Sequence, residues 1–433
     1  MPLLHDPTPS TAAAPTSSTS AAAARPGGRA ALPASVLGGV VLITAIAPLA
    51  TDMYVPAFPL VGRDLDASAT QVQLTLTTFF VGMALGQLAG GPFSDRVGRR
   101  RPLLAGLVVL VAASVACALS PSVAAMMAAR LAQGFAGGWA MVIARSVVVD
   151  LTDGVRMVRA MNLVAAVAGV APIVGPLLGA MVLSVTHWRA SFWVVAAFAG
   201  VMVLTVALAM PESLAVERRH GGGLGRLLGA TGEVLSSRVF SGHLVVFAFS
   251  MGTTFAYVAT SAYVLQSMNG LTPVQYSLDF ALNAGGMTVA ALVAARFADR
   301  VPARSFVAVG LVATGAAGLV LAVSAVWFSM PLGVALVGFF VLMTAQGLVG
   351  PNAGALASAA VPDHPGTGSA LLGFLQWVMA GAIAPLAGLG GEHAAVPMAV
   401  IVLALTAASA VAFRVAGHRA PPDAGPAPAP GTS

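Results

Sequence analysis

Long apolar runs alternate with short polar segments along almost the whole chain. Each run holds about 20 mostly apolar residues, which is the length that an α-helix needs to cross the hydrocarbon layer of a membrane. The pattern therefore predicts an all-α integral membrane protein with about twelve transmembrane helices. The predicted spans cover residues 34–59, 70–92, 103–120, 123–148, 160–184, 191–210, 241–266, 275–297, 306–327, 331–354, 368–390 and 397–414.

The longest internal polar segment separates six of these spans from the other six. Short motifs recur on its two sides, where Asp95-Arg96-Val97 returns as Asp299-Arg300-Val301 and Gln133-Gly134 returns as Gln346-Gly347. Two parallel halves of this kind are typical of secondary transporters. The sequence thus predicts a disordered cytoplasmic tail, a six-helix bundle, a cytoplasmic linker, a second six-helix bundle and a second disordered cytoplasmic tail, over residues 1–32, 33–210, 211–240, 241–415 and 416–433.

Composition supports the membrane interpretation and excludes others. Hydrophobic residues make up 58% of the chain and charged residues 8%, whereas a soluble domain has about 25% charged residues. A soluble enzyme of this length is therefore excluded. The 21 basic residues are all arginines, and most of them cluster in alternate loops. This positive-inside pattern predicts a multi-pass protein of the inner (cytoplasmic) membrane with both termini in the cytoplasm, and the basic excess then implies no nucleic-acid partner.

A charged hairpin stands between the second and third predicted helices, with the sequence Gly91-Pro92-Phe93-Ser94-Asp95-Arg96-Val97-Gly98-Arg99-Arg100-Arg101. Gly91 and Gly98 permit a tight turn. Asp95 could pair with Arg96, or it could face the positive N-terminus of a helix from the other half. An ordinary cytoplasmic hairpin is an equal alternative on the residues alone. If the hairpin does gate the movement of the halves, the gating residues are Gly91, Asp95, Arg96, Gly98, Arg99 and Arg100.

Three further stretches carry motifs inside predicted helices. They are Thr51-Asp52-Met53-Tyr54-Val55-Pro56-Ala57-Phe58-Pro59 in helix 1, Arg130-Leu131-Ala132-Gln133-Gly134 in helix 4, and Gly169-Val170-Ala171-Pro172-Ile173-Val174-Gly175-Pro176-Leu177-Leu178-Gly179 in helix 5. Together with the hairpin, they resemble the major facilitator superfamily, and specifically its drug:proton antiporter branch and Bcr/CflA drug-resistance subfamily. The resemblance implies the major facilitator fold and a proton and substrate role for Asp52.

The resemblance also implies that helix 5 seals the route against proton leak. The alternative for this helix is a face that serves packing alone. The candidate gating residues of helix 5 are Gly169, Pro172, Gly175, Pro176 and Gly179.

A few charged residues lie inside predicted spans, where the membrane disfavours charge. A carboxylate at a helix centre costs about 2.5–3.5 kcal/mol, and desolvation favours its protonated form, so Asp52 is suited to bind and release a proton. A guanidinium from Arg130 close to it would stabilise the charged form until the two groups moved apart. The alternatives are a helix-end acid near the periplasmic interface and an arginine bonded to backbone carbonyls. Asp279, near the outer end of its span, ranks second for protonation.

Other polar residues are assigned by their position along the spans. Arg145, Asp150 and Arg156, near a cytoplasmic helix end, are expected to form loop ion pairs. Candidates for lining a substrate pocket, each of which could equally be a packed interfacial residue, are Tyr54, Gln133, Tyr257, Asn283, Gln346 and Trp377.

These observations lead to one functional hypothesis and two alternatives. We hypothesise a proton-driven exporter of small amphiphilic drugs, such as chloramphenicol- or bicyclomycin-type compounds, that works by alternating access as a monomer in the lipid bilayer. It would use the proton gradient and no cofactor, and the lone Cys117 and scattered histidines indicate no metal site. A transporter of an endogenous metabolite on the same fold is the runner-up. A membrane receptor or intramembrane enzyme is disfavoured, because the sequence lacks a sizeable soluble domain and paired intramembrane acids.

Overall fold

The computed structural model describes residues 33–219, 224–362, 365–393 and 395–417. Within these ranges every regular element is a helix, and twelve helices are long and apolar enough to cross a membrane. The prediction of an all-α protein with about twelve spans is therefore confirmed. Residues 1–32 and 418–433, which hold nearly all of the predicted disordered tails, lie outside the described residues.

Six spans precede the long polar segment and six follow it. The first six are α1 (Ala34–Asp64), α2 (Ala69–Val97), α3 (Arg100–Ala118), α4 (Val123–Leu151), α5 (Gly154–Val185) and α6 (Arg189–Ala209). A short linker helix, Leu224–Ser236, comes next. The second six are α7 (Arg238–Met268), α8 (Pro273–Arg296), α9 (Ala303–Trp327), α10 (Leu332–Ala359), α11 (Pro365–Ala387) and α12 (Ala395–Gly417). The first six spans are referred to below as the first half and the last six as the second half.

Helix α1 is built from several short pieces. Helical segments Ala34–Thr44, Ile46–Asp52 and Phe58–Asp64 are joined through a 3₁₀ turn at Val55–Ala57. Pro56 has no N–H and stands four residues after Asp52, so the Asp52 carbonyl cannot receive the usual helical hydrogen bond there. The break places Asp52 at the end of a short helix.

Helices α2 and α4 approach so closely that glycine is required on both. A Cβ added to Gly86 of α2 would overlap the Phe135 carbonyl oxygen, and one added to Gly138 of α4 would overlap the Met83 carbonyl oxygen. Small residues permit this kind of backbone contact between membrane helices. The two helices therefore form the rigid centre of the first half.

The second half repeats local devices of the first. Ser68 and Gln71 form a capping box at the start of α2, and Thr272 and Gln275 form the same box at the start of α8. In such a box each side chain satisfies a backbone N–H that the first helical turn leaves free. The recurrence agrees with the repeat seen in the sequence.

The α2–α4 contact leads to a stability prediction. A Cβ in Gly134→Ala would overlap the Phe79 carbonyl oxygen, so we expect a loss of about 1–3 kcal/mol of folding free energy, as for other overpacked sites. A lower melting temperature of the purified protein in detergent would record it. The matched control is Gly200→Ala on α6, where no heavy atom lies within 4 Å of the added Cβ. Equal melting temperatures for the two variants would contradict the prediction.

Candidate functional site

A cavity of about 300 Å³ lies between the two halves. Its walls come from α1, α4 and α5 on one side and from α7, α8, α10 and α11 on the other. The first half supplies both charged side chains, Asp52 and Arg145, whereas the second half supplies an aromatic and methionine wall. That wall consists of Met251, Phe255, Tyr257, Phe280, Met287, Met343 and Trp377.

Asp52 lies on the cavity wall and is nearly buried, with 6% of its surface exposed. The Thr51 hydroxyl donates a hydrogen bond of 2.8 Å to its Oδ1 and also lies 2.9 Å from the Ala47 carbonyl oxygen. On α5, a Cβ added to Gly175 would lie 3.0 Å from the Asp52 Cβ. No arginine among the described residues forms an ion pair with Asp52. Its protonation is therefore governed by burial and by one hydroxyl.

Arg130 is fully buried inside the first half and does not reach Asp52. Its Nη1 donates to the Ala50 carbonyl at 2.9 Å and to the Gln133 side chain at 2.8 Å. The guanidinium carbon also lies 4.5 Å from the centre of the Tyr54 ring, and two phenylalanine rings stand at 4.8 and 5.2 Å. Aromatic faces stabilise a cation electrostatically. Arg130 thus takes the arrangement of an arginine bonded to backbone carbonyls and held in an aromatic cage.

Asp279 belongs to a hydrogen-bonded cluster in the second half. Asn283 donates to the Asp279 carboxylate at 2.9 Å and to the Tyr257 hydroxyl at 2.9 Å. Tyr276 shares a hydrogen bond of 3.0 Å with Ser261 and lies near both Asp279 and Asp52. Asp279 itself does not line the cavity. The cluster is therefore a polar neighbour of the cavity wall, which it joins through Tyr257.

The six candidate pocket residues divide into two groups. Tyr257 and Trp377 line the cavity, whereas Tyr54, Gln133, Asn283 and Gln346 do not. Gln133 donates to Ser114 at 2.8 Å and Gln346 donates to Thr314 at 2.9 Å, so each amide is satisfied inside its own bundle. A fully buried amide needs such partners.

Tyr54 is another of the four candidate residues that do not line the cavity. It packs on Arg130, and its hydroxyl shares a hydrogen bond of 2.9 Å with Thr75. Its ring therefore faces the interior of the first half.

The charged hairpin pairs in a different way from either alternative drawn from the sequence. Asp95 forms an ion pair of 2.6 Å with Arg99, which lies four residues later and beyond the turn at Gly98, and Arg99 also reaches Asp150 at 2.9 Å. Arg96 is exposed and forms no ion pair with another described residue. The prediction of a loop ion pair for Asp150 agrees with this geometry.

Glu212 also contacts the hairpin. The sequence motifs do not single out this residue. Its carboxylate accepts the backbone N–H of Arg99 at 2.7 Å and that of Arg100 at 3.2 Å. A carboxylate at this place satisfies the free donors at the start of α3. Gly98 has a positive φ of 98°, as a turn glycine should, whereas Gly91 lies inside α2 and is not needed for the turn.

Helix α5 presents a smooth face to α1. A Cβ added to Gly179 would lie 2.5 Å from the Met53 carbonyl oxygen, so this glycine sets the distance between the two helices. Pro172 lines the cavity, and Pro176 is buried. Gly169 differs from these residues, because a Cβ added to it would meet no heavy atom within 4 Å. Its carbonyl oxygen accepts a hydrogen bond of 3.2 Å from the Thr288 hydroxyl of the second half.

Hydrogen bonds join the two halves at the end of the molecule opposite the Arg-rich hairpin. Thr70 donates to the Gly388 carbonyl at 3.0 Å, and Gln73 donates to the Ala259 carbonyl at 3.0 Å. Near them, Gln266 donates to the Pro56 carbonyl at 3.1 Å. We call this group the seal. It ties the two halves together on that side of the cavity.

The sequence of the chain matches a family model, the Major Facilitator Superfamily, over residues 40–385. The chain belongs to the major facilitator superfamily. It is a multi-pass membrane protein of a transporter family that moves small molecules, and this family is not one of enzymes.

Relatives within the superfamily agree with the more specific resemblance. The chain is 32% identical over 374 residues to an uncharacterized MFS-type transporter, YdgK, of Bacillus subtilis, covering 86% of this chain and 92% of that one. It is 28% identical over 376 residues to a bicyclomycin resistance protein homolog of Haemophilus influenzae, covering 86% and 93%.

A solved structure shows the same fold. It is a bacterial homolog of the lysosomal transporter Spinster in an inward-facing conformation, with a TM-score of 0.70, 16% identity, and coverage of 88% of this chain and 96% of that chain.

Arg145 differs most from its sequence-based assignment. It was expected in a loop ion pair, yet it lines the cavity and makes no hydrogen bond or ion pair with a described residue. Arg145 lies six residues before Leu151, where α4 ends, and this separation corresponds to about 9 Å along the helix axis. The position of Arg145 so far inside an apolar run is the signal in the sequence that indicates a place inside the membrane rather than in a loop.

The seal leads to a second prediction. A Cβ in Gly388→Ala would overlap the side-chain amide of Gln73, which is fully buried. We expect the seal to open more often, so that a reporter cysteine at Thr254, in a Cys117→Ser background, reacts faster with an impermeant maleimide from that side. Gly333→Ala on α10 is the control, because its added Cβ meets no heavy atom within 4 Å. Labelling rates equal to the control would refute the role of this contact.

Proposed function

We propose that the protein is a proton-driven exporter of small amphiphilic drugs, of the chloramphenicol or bicyclomycin type, across the cytoplasmic membrane. The observation that carries the proposal is Asp52, a nearly buried carboxyl group on the wall of a cavity between two halves, with no cation paired to it among the described residues. A carboxyl group in such a place changes its protonation when water reaches it. The similarity to the bicyclomycin resistance protein homolog of Haemophilus influenzae supports a drug substrate.

The hydroxyl of Thr51 suits both protonation states of Asp52. When Asp52 is ionised, the hydroxyl donates to the carboxylate at 2.8 Å. When Asp52 is protonated, the acid can donate to the Thr51 oxygen, while the hydroxyl turns to the Ala47 carbonyl at 2.9 Å. A hydroxyl group is both donor and acceptor, so neither state leaves a buried polar group unsatisfied.

The direction of the cycle follows from the arginine distribution. If the Arg-rich end is cytoplasmic, the seal closes the periplasmic side, and this state is the one that takes up drug from within. Opening the seal would expose Asp52 to external protons. One proton that moves down a potential of about 100 mV supplies about 2.3 kcal/mol, and one unit of pH difference adds about 1.4 kcal/mol. The protein would act as a monomer and need no cofactor.

The test is Asp52→Asn, which keeps the size of the side chain and removes its proton. We expect resistance of a drug-sensitive host to fall to that of cells without the protein. In proteoliposomes with a pH-sensitive dye, drug-driven proton movement should fall to the level of empty liposomes.

Asp66→Asn is the matched control. Asp66 is exposed in the loop between α1 and α2, and asparagine tolerates its positive φ of 48°. Full activity of Asp52→Asn would overturn the proposal. If cells that express the wild-type protein show unchanged drug susceptibility but an altered metabolite pool, a transporter of an endogenous compound is favoured instead.

A further inference from the structure

The cavity wall carries a second charge that the proton cycle does not use. Arg145 of α4 lines the cavity one turn after Met141. It is half-buried and forms no hydrogen bond or ion pair with another described residue. A guanidinium stays charged and carries five N–H donors in a fork that matches an oxyanion. These donors therefore face the cavity without an acceptor from the described protein.

The other buried arginines of the first half show what such a charge normally receives. Arg99 is paired with the carboxylates of Asp95 and Asp150. Arg130 is bonded to a carbonyl and an amide and is surrounded by aromatic rings. Among the described residues, Arg145 has neither kind of partner. An acceptor brought by a ligand would complete it.

The surroundings of Arg145 define the shape of that ligand. On α11, a Cβ added to Gly373 would lie 4.0 Å from the Arg145 Nη1 and 3.3 Å from the Gln87 Oε1 of α2, so the glycine leaves room for about one methyl group beside the guanidinium. Gln376 of the same helix lines the cavity as a neutral polar group. Phe255 and Trp377 are 5.9 Å apart between ring centres, with their planes inclined at 44°, and together offer an apolar aromatic surface. The only carboxylate on the wall is Asp52, on α1.

We propose that Arg145 binds an anionic group of the transported substrate, so that the cavity selects apolar or aromatic amphiphiles that carry one carboxylate or a similar oxyanion. The aromatic body packs on the Phe255–Trp377 surface and the anion meets the guanidinium. This inference rests on the proposed function for the transport cycle and changes the substrate class, because chloramphenicol- and bicyclomycin-type compounds carry no anionic group. Export of a monoanion in exchange for one proton moves two charges per cycle, so an inside-negative potential drives both ligands.

Two probes with the same aromatic body and nearly the same size, one anionic and one neutral, test the proposal. We would measure binding of 2-naphthoate and of neutral 2-naphthamide to purified protein in nanodiscs by calorimetry at neutral pH, with empty nanodiscs as the blank. The wild type should bind the carboxylate more tightly than the amide. Arg145→Gln should weaken naphthoate binding by about tenfold to a hundredfold, as expected for loss of a charged hydrogen bond, and leave naphthamide binding unchanged. Arg145→Lys should retain part of the preference.

Arg296→Gln is the control variant, because this arginine is exposed at the end of α8 outside the cavity. Unchanged naphthoate affinity in Arg145→Gln overturns the proposal. So does an equal loss of both probes, or an absence of saturable naphthoate binding to the wild type. The binding assay involves no proton movement, so a failure at Arg145 is distinguishable from a failure of proton coupling at Asp52.

Discussion

A charge inside a membrane must be stabilised by the protein, because water is absent there. The first half meets this requirement in several ways at once. Arg130 receives a carbonyl, an amide and aromatic faces. Asp52 receives one hydroxyl, and Arg145 receives no partner from the described residues. The difference separates a charge that holds the bundle together from charges that remain available to ligands.

Close helix packing creates the environment on which those charges depend. Gly175 and Gly179 let α5 rest directly against α1, so that side chains do not hold the two helices apart beside Asp52. Gly86 and Gly138 do the same for α2 and α4. Contacts of this kind depend on shape, and a bulky side chain at one of them would admit space or water near the carboxyl group. The glycines thus help to set the electrostatics of the site as well as its shape.

Much of the fold could be predicted from the sequence, because length and hydropathy determine whether a helix spans a membrane. The twelve spans and the resemblance to the major facilitator superfamily follow from such local signals. The facing of individual side chains could not be predicted in the same way. Most of these helices are apolar on nearly all sides, so no amphipathic stripe shows which face meets the cavity. For this reason the sequence does not reveal that Gln133 and Gln346 point into their own bundles or that Arg145 reaches the cavity.

Helix packing explains the other differences as well. The sequence shows four arginines near Asp95 but does not show which of them the turn at Gly98 brings to its carboxylate. Glu212 is distant in sequence and contacts the hairpin only once α6 has returned to the same end of the bundle.

The cage around Arg130 also affects how small cations interact with the first half. Its guanidinium is fully buried at the centre of the first half, and no carboxylate among the described residues neutralises it. A fixed positive charge in a low-dielectric interior repels hydronium and sodium, as arginines do in selective pores. This charge therefore disfavours the passage of small cations through the centre of the first bundle.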